Sequence, residues 1–156
     1  MSGKLLGSLI LASALVAGIA LYYLQVYGYY DEVDLDTVDL RLTSVATGQP
    51  EPILVNDLQV IDATSSPLRF RACFTTPSSL AALTEEFVIY DAATPLVAPR
   101  WFDCFDATEI GAALEQDRAI GFLAQPEVRP GVDRVVAVFD DGRAYAWHQL
   151  NGSLEK

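Results

Sequence analysis

Leu5–Tyr27 reads LLGSLILASALVAGIALYYLQVY, about 23 residues without a charge, and its reading divides the chain. At 1.5 Å of rise per residue the stretch spans roughly 34 Å as a helix, enough to cross a hydrocarbon core of about 30 Å with some tilt. Tyr22, Tyr23, Tyr27, Tyr29 and Tyr30 crowd its C-terminal end, where amphipathic rings favour the headgroup layer. Lys4 and the N-terminal amine flank the other end. Asp31, Glu32, Asp34 and Asp36 follow the tyrosines, and no Lys or Arg appears before Arg41. By the positive-inside rule the N-terminus stays in the cytoplasm and the remainder lies outside. The rival reading is a cleaved signal peptide, because Ala12-Ser13-Ala14 and Gly18-Ile19-Ala20 offer small residues at which a signal peptidase could cut. Against it, the apolar stretch is longer than a signal peptide's usual core of about 7–15 residues. The expected organisation is therefore a cytoplasmic start (1–4), a transmembrane helix with its aromatic interface (5–30), an acidic linker (31–37) and a periplasmic domain (38–156).

The charge distribution follows the same division. The chain of 156 residues is 51% hydrophobic with a formal charge of -11, yet its first thirty residues carry only Lys4. From Asp31 onward nine basic residues stand against all 21 acidic ones, a formal charge of -12. Nucleic acid is excluded as an expected partner, since phosphate binding draws on Lys and Arg. The acidic run Asp31, Glu32, Asp34, Asp36 and Asp39 is either a solvated linker or a surface that steers a cationic partner such as a cytochrome c. Within the helix, Gly3, Gly7, Ala14 and Gly18 stack along one side, and Ser8 and Ala12 repeat the small-residue spacing beside them. Small residues let a second membrane helix approach closely, although Gly and Ala are also simply common in such helices.

Beyond the linker the pattern is α+β, with a mainly antiparallel sheet and two short helices. Val38, Leu40 and Leu42 alternate with Asp39, Arg41 and Thr43 as a strand does, and Gly48–Pro52 reads as the loop that closes it. Ile53–Ile61 is a second strand with a bulge or turn at Asn56-Asp57. Leu68, Phe70, Ala72 and Phe74 alternate with Arg69, Arg71 and Cys73, predicting a strand with one core face and one basic face. A helix through Leu80, Leu83 and Glu86 starts from Thr76 or Ser78 as cap, and Phe87–Tyr90 returns to strand. Asp106-Ala107-Thr108-Glu109 resembles a capping box opening a helix to about Asp117, with Ile110, Ala113 and Leu114 buried. Ile120–Ala124 is a short strand and Pro126–Gly131 a loop. Val132–Phe139 and Arg143–Leu150 form a hairpin around Asp140-Asp141-Gly142.

Chemistry-bearing motifs are few. Cys73 and Cys104 are the two cysteines, and in an oxidising compartment they most simply form a disulfide whose loop of about 30 residues stabilises by ~3 kcal/mol. Two free thiols, a redox pair or a metal site are the alternatives, but no Cys-x-x-Cys occurs and His148 is the single histidine. His148 is expected to face outward from its strand, opposite Tyr145 and Trp147. Trp101-Phe102 with Phe105 reads either as core around the disulfide or as a docking patch. No Gly-x-Ser-x-Gly elbow and no phosphate-binding Gly-rich loop is present, and Asp140-Asp141-Gly142 is turn chemistry rather than a calcium loop. No cofactor and no metal is expected. An enzyme would require polar groups such as Asp103, Asp106 and His148 to converge in a cleft.

As a whole the chain resembles the small, uncharacterised single-span inner-membrane proteins of alphaproteobacteria, in its MSGKLLG start, its eight Arg to two Lys and its anchor-plus-domain plan. The resemblance implies a bacterial inner-membrane protein with its domain in the periplasm. Small proteins of this shape are often accessory subunits, which makes the expected function a non-catalytic accessory or assembly subunit of a respiratory complex, a cytochrome oxidase or bc1-oxidase assembly. The alternative is a membrane-anchored periplasmic sensor or ligand-binding module.

Overall fold

The computed structural model describes residues 2–33, 35 and 38–155. Asp34 and Asp36 of the expected acidic surface lie outside the described residues. Helix α1 runs from Gly3 to Tyr23, capped by Ser2, whose hydroxyl accepts the Leu5 amide. It passes into a wider π-type turn at Leu24–Gly28. The whole stretch Gly3–Gly28 is 26 residues long with a mean hydropathy of 2.2, and none of α1 is buried against the rest of the chain. It is long and apolar enough to cross a membrane, as a membrane anchor or a signal sequence does.

The remainder is α+β. The strands are β1 (Asp31–Glu32), β2 (Arg41–Thr43), β3 (Pro50–Pro52), β4 (Asn56–Asp62), β5 (Arg71–Thr75), β6 (Ala119–Arg129), β7 (Val132–Phe139) and β8 (Arg143–Leu150). Two short helices, α2 (Leu80–Glu86) and α3 (Ala107–Glu115), separate β5 from β6. Six strands form one antiparallel sheet in the order β1-β4-β5-β8-β7-β6, while β2 and β3 make a separate hairpin laid over one face. The last strand is thus central, paired on one side with β5 and on the other with β7.

Both faces of the central strands are covered, and the period-2 alternation shows how. Ala72 and Phe74 of β5, Val136 and Val138 of β7, and Ala144 and Ala146 of β8 point to one side. There they pack with Leu42 of β2, Leu83 of α2 and Phe122 of β6. The alternate residues Cys73, Val135, Ala137, Phe139, Tyr145 and Trp147 pack on the other side with Ile110 and Ala113 of α3 and with Phe102 and Phe105. Arg71, expected on a basic outer face of β5, is therefore only 4% exposed. Alternation gave the two faces correctly, but distant segments cover the second one. His148, also expected outward, is 7% exposed on the first of these faces, where it stacks on Phe70.

Other boundaries shift for local reasons. The expected loop Gly48–Pro52 contains β3, whose two prolines are tolerated because the strand lies at an edge. The expected loop Pro126–Gly131 is mostly the outer half of β6, which continues to Arg129 through two register shifts. Phe87–Tyr90 forms only isolated bridges, from Phe87 to Ser44 and from Ile89 to Phe122. The cap of α2 is Ser79, which accepts the Ala82 amide, rather than Thr76 or Ser78. The bulge at Asn56-Asp57 is present, with Asp57 at φ 53. Asp106 caps α3 by accepting the amides of Thr108 and Glu109, while the Glu109 carboxylate reaches Arg143 instead of closing the box. At the β7–β8 turn Gly142 sits at φ 88, and a Cβ there would stand 2.8 Å from the Thr76 carbonyl oxygen, so only glycine fits.

Candidate functional site

The most distinctive arrangement lies where α1 meets the sheet. A helix leaves its last carbonyls without intrahelical partners, and two side chains of the domain take them here. The Trp101 indole donates to the Val26 carbonyl at 2.6 Å, and the Arg69 guanidinium donates to the Gln25 carbonyl at 2.7 Å. Trp101 also stacks on Tyr27, with ring centroids 6.3 Å apart, and meets Tyr30 edge-on at 5.4 Å. The Arg69 guanidinium lies 5.4 Å from the centre of the Tyr30 ring. These contacts fix the domain against the helix end rather than leaving it on a free linker.

Trp101 reaches that position because the loop bearing it is held from behind. The Arg71 guanidinium donates to the carbonyls of Leu96, Val97, Leu68 and Phe70, so one buried cation ties the loop to the start of β5. Burial holds its pKa down to about 10, which still leaves it charged at neutral pH. Cys104, three residues beyond Trp101, stands at disulfide distance from Cys73 on β5, with Cα atoms 6.3 Å apart. The aromatic run divides accordingly: Phe102 and Phe105 are buried in the core, whereas Trp101 remains 41% exposed. The core reading of this run therefore holds for Phe102 and Phe105, while Trp101 turns to the end of the N-terminal helix.

Between this junction and β4 lies a groove of about 630 Å3, walled mainly by Tyr27, Tyr30, Leu58, Val60, Trp101 and Phe102. It is predominantly apolar. On the far side of Val33 a second, more polar cleft of about 860 Å3 is lined by Arg129, Arg134, His148, Asp62 and Gln125. Arg134 Nε lies 3.0 Å from His148 Nε2, and His148 Nδ1 lies 2.7 Å from the Pro67 carbonyl oxygen. Because a guanidinium only donates, His148 Nε2 must accept and its Nδ1–H must donate to Pro67. Phe70 is sandwiched beside them, stacked on His148 at 4.7 Å and 4.2 Å below the Arg134 guanidinium. Burial, followed by the repulsion of Arg134, pushes the His148 pKa down to about 4. The imidazole is neutral at physiological pH with both nitrogens engaged.

The polar trio considered for catalysis does not converge. His148 points with Phe70 to the face under β2 and β3, while Asp106 caps α3 on the opposite face. Among the described residues no three His, Cys, Asp or Glu side chains group as metal ligands. Of the acidic run, Asp39 is exposed and ion-paired with Arg41, and Asp31 and Glu32 form the edge strand β1 against β4. The helix face of Gly3, Gly7, Ala14 and Gly18 is open: a Cβ on any of the three glycines would meet nothing within 4 Å, and Ala14 is exposed. Sequence reasoning missed Arg69, Arg134 and the pairing of Trp101 with the helix end. Periodicity carries no signal for such contacts, and the only available hint was a tryptophan beside an arginine in a proline-flanked loop.

The fold and site define a class: a two-faced antiparallel sheet domain, with a cysteine pair at disulfide distance, clamped to the end of an apolar N-terminal helix. Over residues 40–156 the chain matches a family of unknown function, DUF6446, and it belongs to that family. The matched region begins at Leu40, the first buried core residue after the linker. No curated protein and no solved structure matches it.

Proposed function

We propose that this chain is a non-catalytic accessory or assembly subunit of an inner-membrane complex, anchored by a retained α1 with its N-terminus in the cytoplasm and its domain in the periplasm. The observation that carries the reading is the clamp of Trp101 and Arg69 on the carbonyls of Val26 and Gln25. A domain fixed to its helix end presents one orientation to neighbouring subunits, which suits a structural role. The uncovered small-residue face of α1 supports helix packing against a membrane partner. The net charge of -12 beyond Tyr30 supports a cationic soluble partner, such as a cytochrome c, at the same surface. The particular complex, a cytochrome oxidase or bc1-oxidase assembly, follows from the resemblance to small single-span accessory proteins.

Purification of the tagged chain from native membranes in mild detergent tests it. Haem-containing subunits are expected to co-purify; recovery of a lone monomer contradicts the proposal. A second reading, a periplasmic ligand-binding module, is favoured by the Arg134–His148 cleft alone. It predicts that the chain binds a small anion and that Arg134→Gln abolishes this binding; no binding to the wild-type chain contradicts it.

A further inference from the structure

The groove beside Trp101 has a depth as well as a shape. As a continuous helix, 26 residues from Gly3 to Gly28 would be roughly 39 Å long against a hydrocarbon core of about 30 Å, so Tyr27 falls in the headgroup layer where α1 leaves the membrane. Tyr27 is itself a wall of the groove, and the two side-chain bonds to Val26 and Gln25 prevent the domain from lifting away. The groove therefore opens at the level of the lipid headgroups. Its walls are aromatic and aliphatic, which suits the upper part of an acyl chain.

The neighbouring loop extends the same surface. Val97 is 82% exposed although Arg71 pins its carbonyl, so an apolar side chain is held outward on the loop. Four residues on, Trp101 is half-exposed at the helix end, and between them Arg100 is exposed. Arg69, at the helix end, supplies a second cation in a domain otherwise dominated by acids. An exposed apolar tip, an interfacial tryptophan and two arginines match a lipid surface: apolar below, phosphate above.

We propose that this groove and the loop from Pro95 to Phe102 form a lipid-binding face, seated in the leaflet where α1 ends, with Arg69 and Arg100 at the lipid phosphates. The proposal rests on the retained-anchor reading above. It makes the domain recline on the bilayer instead of standing clear of it.

Added tryptophans in the full chain test this, reconstituted into nanodiscs of phosphatidylcholine with or without bromine at shallow acyl positions. Val97→Trp reports the loop and Leu58→Trp the groove, each read as the difference from wild type; Leu35→Trp replaces the latter if it does not fold. Native Trp101, read as wild type minus Trp101→Phe, reports the helix end independently. Both added tryptophans are expected to emit at shorter wavelength than in water and to lose most of their emission in brominated lipid. Lack of quenching at either added position while Trp101 is quenched overturns the lipid-binding face and leaves the anchor standing. Lack of quenching at all three positions overturns the anchor together with the proposal.

Discussion

His148 and Arg71 are polar residues that the fold has buried, and each makes a distinct prediction. His148 is held near pKa 4 in the folded chain against an ordinary value of 6.5, so the unfolded chain binds the extra proton first as pH falls. Stability is therefore fully present above pH 6.5 and declines as the pH drops toward 4, by roughly 3 kcal/mol in all. Urea titrations in detergent across that window should show the decline, and His148→Asn should remove most of it; a slope unchanged by the substitution would exclude His148 as its source. Arg71→Lys keeps the charge but cannot span four carbonyls, and about 2 kcal/mol of stability should be lost on the same measurement. Neither burial was legible in the sequence. The residues around His148 and Arg71 alternate as a one-sided strand does, and only the long-range arrival of α3, β2 and the 91–105 loop closes the second side.

Among the elements, those set by local chemistry were legible and those set by distant pairing were not. The Asp106 cap, the apolar spacing of Ile110 and Ala113, and the positive φ at Gly142 and Asp57 all carry a signal within a few residues of sequence. The central place of β8 depends on its meeting β5 across some seventy residues, which no local pattern encodes. β3 was hidden because prolines argue against strands, except at the edge where this one lies. The cysteine pair joins the α3 side to β5, and Cys73→Ser with Cys104→Ser should lower stability by about 3 kcal/mol if the disulfide closes its loop. Equal thermal midpoints for the wild type and the double variant would contradict that. At the helix end, Trp101→Phe retains the ring contacts but loses the donor to Val26. Hydrogen exchange at residues 24–30 should quicken several-fold, as expected for the loss of about 1 kcal/mol; unchanged protection would mean the clamp does not hold the domain.

At the scale of the whole molecule, the uncharged first stretch, the tyrosine girdle and the net acidic remainder set the plan, and all three are visible in the sequence. The way domain and helix are fastened was not, because Trp101 and Val26 are 75 residues apart and belong to no motif. That fastening gives the π-type turn after α1 a structural role in the folded chain, since its carbonyls at Gln25 and Val26 accept from Arg69 and Trp101.

The most direct measurement of this account is the intact mass of the chain recovered from its native membrane fraction after alkaline extraction. Retention of α1 predicts a membrane-resistant species beginning at Met1 or Ser2; a soluble species beginning near Leu21 would contradict it.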